Sequence, residues 1–187
     1  MFFPKVIAIT GFKGSGKNTV ANYIIDLYKD KFNFETVAFA DPIRKQVEFI
    51  FKLNGSDKQY DSFKRSTMSF GVGYIGNSTI YARRAVREIG MLMRSYDEDQ
   101  FVRYVDHKIQ SDKNKVWIIT DLRFQNELDF LKSINAYIIK VDRNVEKDDH
   151  ITEQGIHDSQ CHAFLYNNET EKELVPQIKG RFDKFIQ

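Results

Sequence analysis

Apolar residues along this chain fall into short unbroken runs and helical stripes, and the two alternate almost from end to end. Val6-Ile7-Ala8-Ile9-Thr10 is the first run and predicts a buried strand. Val20, Ile24 and Leu27/Tyr28 follow at helical spacing. Glu35 to Ala40 reads as a second buried strand. Asp41-Pro42 then opens a helix with Ile43, Val47, Ile50 and Phe51 on its apolar face and Asn54-Gly55 at its end. Two further stripes, Ala82/Val86/Ile89/Met93 and Phe101/Val105/Ile109, lead to the run Val116-Trp117-Ile118-Ile119-Thr120. Ala136 to Val141 and Ala163 to Tyr166 predict two more strands. Leu174, Ile178 and Phe182 mark a last helix, which Thr170 and Glu173 would cap and which Pro176 would delay or kink. This strand-helix alternation predicts an α/β fold, a parallel sheet of about five strands with helices on both faces. A single domain over residues 1–187 is expected, with no internal repeat.

One stretch interrupts the rhythm. Residues 55–78 are polar with scattered aromatics, and Gly71-Val72-Gly73-Tyr74-Ile75-Gly76 matches G-x-G-x-x-G. No convincing strand precedes the match and no strand-helix-strand unit fits around it. A mobile, substrate-side loop is the expectation rather than a dinucleotide site.

The chemistry starts between the first strand and the first helix. Gly11 to Thr19 reads G-F-K-G-S-G-K-N-T, the layout of a phosphate-binding P-loop. Gly11, Gly14 and Gly16 let the backbone turn with positive φ and bring its N–H groups together. Those groups and the positive end of the helix near Lys17 make a cradle for an anion. Lys17 reaches the outer phosphates of a nucleoside triphosphate. The position after it, usually a Ser or Thr on Mg²⁺, is Asn18, followed by Thr19. An amide oxygen also suits a hard cation or its water.

Other candidates lie at strand ends, where open α/β sheets bind ligands. Asp41 and Arg44 follow the second strand; spacing favours Asp41 as a helix cap, with ligand contact as the alternative. Arg83, Arg84 and Arg87 sit off the apolar face of their helix, as a solvated face or a phosphate clamp. Asp121, Arg123 and Glu127 follow the Trp117 strand; a cap with an ion pair and a metal- or ligand-binding rim are both open. Arg143 ends the next strand and opens a polar, lid-like segment, residues 143–160. His150, His157 and His162 match no zinc spacing.

Composition narrows the classes. Of 187 residues 42% are hydrophobic, with 16 Phe and 9 Tyr, so the chain is globular. Twenty-eight basic residues nearly balance 26 acidic ones, and no basic stripe suggests nucleic acid as a partner. A lone cysteine, Cys161, permits no internal disulfide and fits a reducing compartment. The first residues lack a signal-peptide pattern, and no apolar run approaches the roughly 20 residues of a membrane span. A cytoplasmic location is therefore expected.

The chain resembles the phage-type deoxynucleoside monophosphate kinases, a branch of the P-loop nucleotide kinases with a three-layer fold, a substrate-binding insertion and a lid. The resemblance runs nearly end to end. It rests on the P-loop, Ala40-Asp41-Pro42-Ile43-Arg44, Arg83-Arg84 followed by Gly90, and Asp121-x-Arg123-x-x-x-Glu127. It continues through Arg143, His150-Ile151-Thr152-Glu153 and Asn167-Asn168-Glu169-Thr170. The resemblance implies that Gly11, Lys13, Gly14, Ser15, Gly16, Lys17, Asn18 and Thr19 hold ATP, with Mg²⁺ near Asn18 and Asp121. It implies that Ile43, Arg44, Arg84, Gly90, Phe101, Asp121, Arg123 and Glu127 shape the monophosphate site. Lys17, Asp121, Arg123 and Arg143 would carry catalysis, in the host cytoplasm if the gene is a phage's. Phe101 would pack on the acceptor base or in the core. The implied partners are small nucleotides, neither nucleic acid nor membrane, with homodimerisation left open. Two rivals remain: a P-loop kinase of another phosphorylated metabolite, and a P-loop ATPase switch acting on a macromolecule.

Overall fold

A computed structural model of the chain describes residues 2–50, 62–63, 67–72, 76–145, 156–168 and 171–186. The chain forms two compact units, Met1–Phe39 with Val102–Gln187, and Ala40–Phe101.

The first unit is built on a five-stranded sheet in the order β2-β5-β1-β6-β7. Its strands are β1 (Val6–Thr10), β2 (Phe34–Val37), β5 (Val116–Ile119), β6 (Tyr137–Asp142) and β7 (Ala163–Tyr166). All four pairings are parallel, with Ile7 opposite both Ile118 and Tyr137. Parallel strands need crossover connections; α1 (Lys17–Tyr28) carries the chain from β1 to β2 and α5 (Gln125–Ser133) from β5 to β6, while α6 (Glu171–Phe182) follows β7, the last strand. The alternate positions of each strand show why the sheet needs cover on both faces. Ile7, Ile9, Val116, Ile118, Ile139, Val141, Ala163 and Leu165 join one core with Val20, Ala21 and Ile24 of α1 and Leu174, Ile178 and Phe182 of α6. Ala8, Trp117, Ile119 and Ile138 point the other way and are buried too, as are Leu128 and Leu131 of α5. A strand buried on both sides reads as a continuous apolar run, which is why the sequence shows these so clearly.

At the base of the sheet, Phe3 stacks on Phe32 at 4.1 Å, and the Tyr28 hydroxyl donates to Asp183 Oδ1 at 2.8 Å. That bond and burial both push the Tyr28 phenol far above its ordinary value, burial being the larger cause.

β2 departs from expectation. It spans Phe34–Val37 rather than reaching Ala40, and Glu35 and Thr36 are exposed. It lies at the sheet edge with β5 as its one neighbour, so only part of it is covered. Pro176 sits inside α6 without ending it. His162 is structural: its Nδ1 accepts the Ile138 N–H at 3.0 Å, and its ring stacks on Tyr137.

The second unit holds α2 (Asp41–Ile50), an antiparallel hairpin of β3 (Thr67–Val72) and β4 (Gly76–Tyr81), α3 (Ala82–Tyr96), and the first residues of α4 (Gln100–Ser111). The hairpin corrects the loop expected there. Thr67 pairs with Tyr81 and Val72 with Gly76, so Gly71 and Gly76 lie on paired antiparallel strands, unlike the glycines of a strand-to-helix phosphate loop. Arg44 N–H donates to Ala40 O at 2.9 Å, which puts the α2 cap at Ala40 and Asp41 one position inside, in the first turn. Gly90 is buried where α3 meets α2; a Cβ there would stand 2.8 Å from Ile43 Cδ1. The expected Asn54-Gly55 stop, most of the 55–78 insertion, His150, the capping Thr170 and the centre of the lid-like segment lie outside the described residues.

Candidate active site

The sheet order places two chain reversals side by side. From β1 the chain crosses to β2, and from β5 it crosses over β1 to β6. The carboxyl ends of β1 and β5 therefore flank a switch point, the place where such sheets form a crevice. The Gly11–Gly16 loop leaves β1 here, and Asp121-Leu122-Arg123 leaves β5. A hydrogen bond joins the two turns directly: buried Thr10 donates from Oγ1 to Leu122 O at 2.9 Å.

The loop has the shape its glycines permit. Gly11, Gly14 and Gly16 have φ of 140°, 79° and 91°. At Gly11 a Cβ would stand 2.3 Å from Val141 O, so no side chain fits there. Gly16 is the N-cap of α1; it offers no side chain to the helix amides, and the first turn carries no acidic residue. The positive end of the helix is left to whatever the loop holds. Ser15 is fully buried, and its Oγ has no hydrogen-bond partner among the described residues. Lys17 arches over the loop, its Nζ donating to Gly11 O at 2.7 Å and Phe12 O at 2.8 Å. That holds the ammonium at the mouth of the turn. Lys13, Asn18 and Thr19 are exposed along it.

Arg143, just past β6, comes to the same loop: its Nη1 donates to Gly14 O at 3.4 Å. Asp121 accepts the Phe39 N–H on Oδ1 at 2.9 Å, so one carboxylate oxygen orders the end of the β2 segment. Glu127 is 1% exposed. Its Oε2 accepts the N–H of Arg123 at 2.9 Å and of Phe124 at 3.1 Å. Phe124 is the N-cap of α5 and has no acceptor of its own, so the third-position carboxylate does the capping alone. Glu127 thus shapes the turn that presents Arg123, with the capping oxygen turned to the backbone.

In the second unit, Ile43 and Gly90 form the close contact of α2 with α3. Arg44 pairs with Glu48 at 2.7 Å and Arg84 with Glu88 at 2.6 Å, both one helical turn apart. The hydrogen bond to Glu88 and its charge raise the Arg84 pKa further. Phe101 is fully buried, with the Arg94 guanidinium 4.7 Å from its ring centre. The packing is that of a core residue, the second of the two readings of Phe101.

Sequence reasoning did not single out Asn167 as a site residue, yet its Nδ2 donates to Ser15 O at 2.8 Å. An Asn pair immediately past an apolar strand was the available signal.

A family model described as deoxynucleotide monophosphate kinase matches residues 5–85 and 86–178. The chain belongs to the deoxynucleotide monophosphate kinase family. A protein of Acanthamoeba polyphaga mimivirus, provisionally named a deoxynucleotide monophosphate kinase, is 30% identical over 199 residues, covering 97% of this chain and 98% of its own. Among solved structures, a gluconokinase from Sinorhizobium meliloti 1021 aligns over 98% of this chain and 94% of its own at 9% identity, with a TM-score of 0.48. That likeness is too loose to bear on the site. Family membership makes this chain a kinase of nucleotide metabolism. No helix among the described residues is long and apolar enough to cross a membrane.

Proposed function

We propose that the protein transfers the γ-phosphoryl group of ATP to the 5′-phosphate of a deoxynucleoside monophosphate, releasing ADP and the diphosphate. The observation that carries this reading is the convergence on one loop: glycine turn, Lys17, the Thr10–Leu122 link to the Asp121–Arg123 turn, and Arg143 at Gly14. The loop fits a polyphosphate on its own terms. A Cβ at Gly11 would collide with Val141 O and crowd Ser15 Oγ, Ser15 Oγ is buried without a partner among the described residues, and the α1 terminus carries no side-chain cap.

The backbone amides of residues 14–19 and the Lys17 ammonium receive the triphosphate and gather its charge. Arg123 grips the acceptor phosphate. Arg143, with Lys13, covers the transferring group. The acceptor oxygen is already anionic, so positioning and charge neutralisation suffice and no strong base is needed. Asn18, Thr19 and Asp121 offer the hard oxygen donors that Mg²⁺ prefers. Among the described residues no three His, Cys, Asp or Glu groups form a cation site, and Mg²⁺ bound chiefly through phosphates and water requires none. When bound, Mg²⁺ neutralises charge on the phosphate oxygens.

A coupled ADP-release assay across the four deoxynucleoside monophosphates tests the proposal. Release that depends on at least one of them supports it. Slow release indifferent to every monophosphate identifies an ATPase switch instead.

A further inference from the structure

Asn167 is the first residue past β7, and its position is fixed from two sides. Its own N–H donates to Asp142 O, at the last residue of β6, at 2.8 Å, carrying the hydrogen-bonded ladder one residue beyond the end of β7. Its side-chain Nδ2 then reaches across to Ser15 O, also at 2.8 Å. The fit is close: a Cβ on Gly16 would stand 2.1 Å from that nitrogen. Asn167 therefore occupies the space that a side chain at Gly16 would need.

The consequence lies in the geometry of one peptide unit. No cis bond occurs among the described residues, so the carbonyl of Ser15 and the N–H of Gly16 lie in one rigid plane and point in opposite directions within it. Holding the carbonyl from one side turns the N–H to the other. Gly16 is also the N-cap of α1, so the same plane sets the direction from which the helix starts. A P-loop without such an anchor would have to order this unit on binding, at a cost in affinity.

We infer that Asn167 is a positioning residue for the phosphate loop: it fixes the Ser15–Gly16 peptide so that the Gly16 N–H faces the bound triphosphate, and it sets affinity for the triphosphate without affecting the monophosphate. The inference rests on the reading of the loop as the triphosphate site. Asn168 provides the comparison. Its Oδ1 accepts the Asn144 N–H at 2.6 Å, so it braces the same turn without touching the loop.

The probe is inorganic tripolyphosphate with Mg²⁺, titrated calorimetrically into the full chain. Asn167→Ala loses one donor and is expected to weaken binding about threefold to tenfold, the scale of one hydrogen bond. Asn167→Asp keeps the shape, cannot donate, and adds negative charge beside the cradle; more than about tenfold loss is expected. Asn168→Ala is expected to stay within about twofold. Deoxynucleoside monophosphate affinity should hold in all three, which a general loosening of the fold would not allow. The inference is overturned if Asn167→Asp binds tripolyphosphate as the wild type does, or if Asn167→Ala and Asn168→Ala lose equally. It is overturned too if the wild type does not bind tripolyphosphate. Failure of the kinase proposal leaves a different mark: tripolyphosphate still binds, yet no monophosphate stimulates ADP release.

Discussion

Replacing Glu127 by alanine tests how the acceptor side of the site is held. The carboxylate is almost fully buried and accepts two backbone N–H groups, of Arg123 and Phe124, at the start of α5. A hydrogen bond to a charged group contributes about 1.5–3 kcal/mol. Both donors belong to half-buried residues, so water recovers part of the loss; about 2–3 kcal/mol for the pair is expected. For a chain of this size that lowers the melting temperature by roughly 4–12 °C. Glu127→Gln keeps an oxygen able to accept both N–H groups and gives up only the charge, so about 1 kcal/mol is expected. Function should follow the turn. The variant with alanine should show a KM for the monophosphate raised about tenfold, equivalent to about 1.4 kcal/mol of lost positioning, with the KM for ATP within about twofold. Differential scanning calorimetry and initial rates measure the two effects. A melting temperature within about 1–2 °C of wild type would refute a stabilising cap at Glu127. Equal rises in both KM values would refute the assignment of the turn to the acceptor.

Two further perturbations address the loop and an exposed ion pair. Lys17→Ala should reduce transfer by at least about a hundredfold. It also removes the ties to Gly11 O and Phe12 O, worth about 2 kcal/mol together, so melting should drop by a few degrees while circular dichroism keeps its native form. Near-normal turnover in that variant would remove the loop from the mechanism. Beyond the loop, the hydrogen bond from Lys140 of β6 holds the Asp158 carboxyl below its ordinary value of 3.8. A lowered folded-state pKa means stability present above about pH 4 and lost as pH falls through the folded value. Asp158 is largely exposed, so about 0.5 kcal/mol is at stake. Urea midpoints at pH 7 and pH 3 should therefore differ less in Asp158→Asn than in wild type, and identical differences would exclude the pair as a source of pH dependence.

The sequence displayed the sheet wherever strands are buried on both faces, because such strands are continuous apolar runs: β1, β5 and β6 are plain. It overextended β2, since an edge strand needs cover on one side only and Ala38 to Ala40 continue the apolar run past the last ladder pair at Val37. The hairpin was also legible in part. Met68, Phe70 and Val72 alternate as a strand should, but the neighbouring glycines and polar residues outweighed that signal. The phosphate loop was readable because its chemistry is local, a spacing of glycines before a lysine. Contacts made across long stretches of chain were not. Nothing in the spacing says that Asp121 orders the Phe39 amide, that Glu127 caps backward onto Arg123, or that Asn167 touches Ser15, 152 residues away. Each depends on strand order, which periodicity does not encode. Gly90 illustrates the converse. A resemblance assigns it to the substrate site, and packing shows the reason for glycine itself, the approach of Ile43.

The central claim is that phosphate passes directly between two bound nucleotides. ATP labelled with ³²P at the γ position, incubated with the protein and each deoxynucleoside monophosphate, follows that phosphate to its destination. The label is expected in a deoxynucleoside diphosphate, with little free phosphate, and with transfer cut at least about a hundredfold in Lys17→Ala. Label that accumulates only as inorganic phosphate, whichever monophosphate is present, would contradict it.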